Sequence, residues 1–202
     1  MLSALLRCRL EPRSRAAVAK AALELQRTRS NEFAKEKAPT SINPQLDRNQ
    51  KPGKTKLSWM RGAYKCNFFV GEALSKSGYV MPLSDKHRYA GAGSLHSHRR
   101  YFQRIVSPAD LRPGDVVTLR WPGKGNAHAA IVTKTGKRKG TIEITGTGRG
   151  SVVTEKVSAH LGKDWHEALS TAKYDSKHQR FVLKAADGTR FHVYLLRPKR
   201  KR

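Results

Sequence analysis

From Asp110 onward the chain alternates short apolar runs with turn residues, and that rhythm limits its fold more than any other feature. In "DLRPGDVVTLRW" a turn at Arg112, Pro113, Gly114 and Asp115 feeds an apolar run. "GKGNAHAAIVTKTG" repeats the arrangement, a glycine-rich turn leading into a second strand from about Ala127 to Lys134. "GTIEIT" and "GSVVTEKV" read as the third and fourth. "RFVLKAADGTRFHVYLLR" carries the clearest hairpin signal, two apolar or alternating runs about Asp187-Gly188. Between these, "VSAHLGKDWHEALSTAKYD" has room for one short helix.

The text before Asp110 has a different period. Phe69, Val70, Ala73 and Leu74 recur at helical spacing, which predicts a helix from Cys66 to about Lys76, closed by Gly78. A second, basic helix is expected from about Ser14 to Ser30, with Ala17, Ala21 and Leu25 on one face. Residues 31–57 are polar, carry Pro39, Pro44, Pro52 and Gly53, and read as a linker or loosely attached arm. "YVMPLSDKHRYAGAGSLHSHRRYFQRIV" has no clear period and is too long for an idle loop. One helix followed by a run of antiparallel strands gives an α+β class. The expected organisation is a basic N-terminal helix and linker over residues 1–57, one domain over 58–197, and a basic tail at 198–202.

Charge bounds the partner. The chain holds 41 Lys and Arg against 15 Asp and Glu, a net +26, and such a balance predicts a polyanionic partner: nucleic acid, an anionic membrane surface or a bacterial wall. Basic clusters fall in "KHRYAGAGSLHSHRR", "KTGKRKG" and "RPKRKR". No RNA-recognition, zinc-finger or helix-turn-helix signature accompanies them, and aromatics interleave sparsely with the cations, Tyr101 and Phe102 after Arg99-Arg100 being the best case. A nucleic-acid-binding protein with structural Cys and His is the alternative reading; steep salt dependence indifferent to Cys66 would mark it. No run of 18 apolar residues predicts a membrane span, and the apolar run at the N-terminus is too short for a secretory signal.

There are two cysteines, Cys8 and Cys66. A disulfide between them would tie a basic tail to a helix start and supply no framework. Cys66 alone is most simply a buried thiol. At a helix N-terminus, however, unpaired backbone N–H groups favour a thiolate, and a neighbouring histidine adds to this. His128 opens a strand behind a glycine-rich turn and is the natural partner; Cys/His activation depends on geometry and tolerates their separation in sequence. His96, His98, His160 and His166 could suggest zinc, but they lack a second ligand pair at the usual spacing, and no metal or organic cofactor is expected.

At these residues the sequence resembles a known superfamily. "YKCNFFV", "DLRPGDVV" and "NAHAAIV", in that order, are similar to the papain-like bacterial wall hydrolases of the NlpC and CHAP groups. The resemblance implies a papain-like core, with the Cys-bearing helix packed on an antiparallel sheet. It also implies Cys66 as nucleophile, His128 as general base, and a polar residue on the next strand to orient the imidazole. In "TIEITGTG" that residue would be Glu143, with Thr145, or a Cys–His dyad aided by a backbone carbonyl, left open. Tyr64 and Asn126, each two residues before a member of the pair, are the expected substrate-binding residues. Lipid acyltransferases with a related cysteine motif place their His before the Cys, and here it follows.

The activity so implied is amide hydrolysis in peptidoglycan stem peptides, by an endopeptidase or amidase, with an acyl- or peptidyl-transferase on the same scaffold as a third reading. An enzyme of this kind would work in the bacterial wall or periplasm. Lacking a leader, it would arrive as an injected antibacterial effector or a lysin, and an effector would be matched by an acidic immunity protein in its producer.

Overall fold

The computed structural model describes residues 14–43, 46, 57–84, 88–123, 125–148 and 150–200. Three α-helices are formed, α1 (Arg15–Arg29), α2 (Cys66–Lys76) and α3 (Trp165–Ser170). The strands are β1 (Phe102–Ile105), β2 (Val116–Arg120), β3 (Ala127–Lys134), β4 (Glu143–Thr147), β5 (Val152–Glu155), β6 (Val157–Ser158), β7 (Lys163–Asp164), β8 (Lys173–Asp175), β9 (Arg180–Lys184) and β10 (Arg190–Pro198). The expected α+β class is the observed one.

Eight strands form one antiparallel sheet in the order β5-β4-β3-β2-β10-β9-β8, with β1 pairing along β10, and β6 and β7 form a separate small ladder. Every ladder in the main sheet is antiparallel. The hairpin expected about Asp187-Gly188 joins β9 to β10, and Gly188 there takes φ +85°, a backbone that favours glycine.

Side chains alternate faces along a strand, so the register sorts the sheet into two cores. On one face Val116, Ala129, Ile131, Tyr194 and Leu196 meet Val18, Leu25, Phe69 and Leu74 of α1 and α2. On the other, Val117, Leu119, Ala130, Val132, Val193 and Leu195 meet Leu161, Trp165 and Leu169. Helix α2 therefore lies across the sheet with its N-terminus near the start of β3.

The described residues before Trp59 pack against the rest of the fold. Helix α1, capped by the Ser14 hydroxyl accepting from Ala17 N–H, packs on α2 and β3 through Val18, Ala21, Ala22 and Leu25. Phe33, Ala34, Ala38 and Leu57 are also buried, while residues 44, 45 and 47–56, with Pro44, Pro52 and Gly53, lie outside the described residues. The anchor is Glu72 of α2, wholly buried, whose carboxylate accepts from Ser41 Oγ at 2.6 Å, Ile42 N–H at 2.8 Å and Tyr89 Oη at 3.1 Å. Arg29 of α1 lies 3.6 Å from the same carboxylate. A buried carboxylate demands such partners, and two of them, Ser41 and Ile42, come from the polar segment that composition alone marks as loose. Cys8 and residues 201–202 lie outside the described residues.

Candidate active site

Cys66 is the first residue of α2, preceded by Lys65 at the cap position. The first intrahelical bond runs from Phe69 N–H to Lys65 C=O, so the amides ahead of it have no helical acceptor. The helix has no acidic residue in its first turn to offset that positive end. Lys65 holds the approach. Its side chain is buried, and its ammonium donates to the carbonyls of Ala34, Lys35 and Ala63 at 2.6, 3.0 and 3.2 Å. This clip fixes the loop ahead of Cys66 to the segment after α1.

His128 is the second residue of β3, beside the open end of the β3–β4 ladder. Its ring shares the sheet face of Ala130, and room for it is made by Gly146 on β4. A Cβ built at Gly146 would lie 3.2 Å from His128 Nε2 and 2.8 Å from Ala130 Cβ. The structure thus brings Cys66 and His128, which are 62 residues apart in sequence, into the wall of one cavity of about 420 Å³. Tyr64 and Asn126 line the same cavity, as do Trp121, Glu155, His160 and Trp165. All four expected residues other than Glu143 therefore meet.

Glu143 does not join them. It stands three positions before Gly146 on β4 and on the opposite face, and its carboxylate pairs with Lys134 at 3.4 Å and Lys156 at 3.8 Å. Thr145 is likewise turned away, hydrogen-bonded to the hydroxyls of Thr133 and Thr154. The group beside His128 is instead His160, in the turn between β6 and β7, its ring 5.0 Å away and inclined at 61°. Trp121 packs on the other side of His160 at 4.9 Å. Glu155 caps this turn, accepting from Ala159 N–H at 3.2 Å. Nothing in the local sequence near His128 announces His160; only the return of the chain through β5 and β6 delivers it.

The electrostatics of the pair are those of a neutral resting state. Burial pushes the Cys66 thiol up, against the opposing pull of the amides of Ala129, Asn67 and Cys66 itself. Burial likewise pushes His128 down to about 4, helped by the nearby His160. Cys66 and His128 share the cavity without hydrogen-bonding to each other, as apo sites often do. Among the described residues no three His, Cys, Asp or Glu side chains are grouped to hold a metal ion. Cys66 is a free thiol.

A family model, Amidase_6, described as "putative amidase domain", matches residues 47–183, more than half of the chain and the whole of this cavity. No curated protein and no solved structure matches it.

Proposed function

The chain belongs to the Amidase_6 family of amidase domains, and on that footing we propose that it is a cysteine hydrolase acting on amide bonds of peptidoglycan stem peptides. The observation that carries the reading is the shared cavity: a thiol at a helix N-terminus and an imidazole at a strand start line one cavity of about 420 Å³. Here a neutral pair is also a competent one. As the substrate enters, His128 takes the thiol proton while Cys66 Sγ attacks the carbonyl carbon. The amides crowding the sulfur at the head of α2 supply hydrogen bonds for the oxyanion that forms. Collapse breaks the C–N bond, His128 returns its proton to the departing amine, and a thioester remains. Water, deprotonated by His128, then releases the carboxylate and restores the thiol.

Two features support the wall as the place of work. The resemblance carried by "YKCNFFV" and "NAHAAIV" is to wall hydrolases, and a net charge of +26 suits an anionic polymer. An antibacterial role, with an acidic neutralising partner, belongs to the same reading.

The thioester tests the chemistry. Wild type mixed with soluble stem peptide, quenched in acid within the first turnovers and weighed intact, is expected to carry the acyl fragment on the peptide containing Cys66. His128→Ala should fail to acquire it. Hydrolysis that persists in Cys66→Ser and Cys66→Ala, with no adduct at any time, would remove the thiol from the mechanism.

A further inference from the structure

The helices α1 and α2 cover only part of their face of the sheet. Following the register outward from Thr118 and Tyr194, the same face continues through Arg120 on β2, Arg190 and His192 on β10, Arg180, Val182 and Lys184 on β9, and Lys173 and Asp175 on β8. The strands say so themselves: β9 has Phe181 and Leu183 buried between more exposed neighbours, and β10 begins exposed, buried, half-buried, buried. Arg120, Lys173, Lys184 and Arg190 are exposed. Arg180 is the most tied of the cations, bonded to Asp175 and to the His192 ring. This face therefore presents five Lys and Arg side chains, and Asp175, already engaged by Arg180 and His178, is its one carboxylate. Four strands side by side span about 14 Å, enough to seat an extended chain.

The position of the face matters as much as its sign. Arg120 immediately precedes Trp121 and pairs across the ladder with Ala127, and both of those residues line the catalytic cavity. The cationic face begins where the cavity wall ends.

From this we infer that the uncovered face of β2, β10, β9 and β8 is a docking site for a base-free phosphodiester polymer, of the poly(glycerol phosphate) kind, that leads the enzyme along the wall. Arginine forks match phosphate oxygens, and a row of cations on a flat surface reads charge rather than sequence. Nucleic acid is disfavoured by the absence of a stacking platform. The one apolar side chain on the face is Val182, and the nearby Tyr194 ring is already occupied, stacked by His96 at 4.0 Å with the Arg104 guanidinium 4.7 Å from it. The choice of a wall polymer rests on the function proposed above.

The test uses the full chain and labelled poly(glycerol phosphate), with binding followed by anisotropy as salt is raised. Arg120→Gln, Lys184→Gln and Arg190→Gln are combined in one variant, and Lys20→Gln, Arg27→Gln and Lys37→Gln, exposed positions on and after α1, in a charge-matched control. Losing three contacts should flatten the slope of log K against log salt by about 2, while the control keeps the wild-type slope. The face variant should cleave a soluble stem peptide within about twofold of wild type. Equal binding by face variant and wild type, an equal loss in the control, or single-stranded DNA bound more tightly through the same three residues would each overturn the site. Peptide hydrolysis is read separately, so a chain that binds the polymer through this face yet cuts no peptide keeps the docking site and loses only the chemistry.

Discussion

A histidine held near 4 behaves differently from a free one, in folding and in catalysis. Between about 4 and the ordinary value of 6.5, the unfolded chain binds a proton at His128 that the folded one refuses. Stability contributed by keeping this ring neutral is therefore intact above 6.5 and lost as the pH falls toward 4, by up to about 3 kcal/mol. His128→Asn should accordingly lose less Tm than wild type between pH 7 and pH 4.5; an equal loss would mean the ring titrates normally. In turnover, kcat/KM should hold from alkaline pH down to about 5 and fall below it as His128 protonates. An inflection near 7 would contradict the neutral pair. Gly146 supplies a second check. Gly146→Ala places a methyl 3.2 Å from His128 Nε2 and 2.8 Å from Ala130 Cβ, so something must move. We expect a cost of about 1–3 kcal/mol and at least tenfold in kcat/KM, whereas Gly91→Ala, with nothing nearby, should change neither.

At the scale of elements, α2 is the piece on which the site depends, and it is held at both ends of its buried face. Lys65→Met leaves the carbonyls of Ala34 and Lys35 without their donor, and should cost about 2–3 kcal/mol by denaturant unfolding. Activity should fall by more than the unfolded fraction explains, because the head of α2 loses its clip. Helix α2 was legible in the sequence to the residue, since its apolar period starts behind Cys66 and stops at Gly78. Strand β3 was equally so, bounded by a glycine-rich turn. Strand β1 was not: it buries only Phe102 and Ile105 and pairs with the far end of β10, so no local alternation marks it. That Glu143 lies away from the cavity was hidden for a related reason. Which face Glu143 takes relative to His128 depends on the cross-strand register, which a single strand does not record. The period of α1 is plain in the sequence but its packing is not, because its buried stripe is mostly alanine. Deleting residues 1–30 should therefore abolish soluble expression of the remainder, by exposing Phe69, Leu74 and Ile131; a folded, active fragment would restore the linker reading.

The eight-stranded sheet does two tasks, with a core on each side. One face carries the helix that presents Cys66, the other the turn that sets His160 against His128, and the cavity opens where β4 ends. Net charge was readable at once, but its distribution was not, since only the register gathers Arg120, Arg190 and Lys184 from three strands onto one surface. The activity proposed for this sheet is cleavage of amide bonds in peptidoglycan by Cys66. It is tested most directly by digesting purified peptidoglycan with wild type and Cys66→Ala and weighing the released fragments by mass spectrometry. The account predicts new amine and carboxyl ends at one stem-peptide bond from wild type and none from Cys66→Ala. The same fragments from both proteins, or none from folded wild type on walls of several chemotypes, would contradict it.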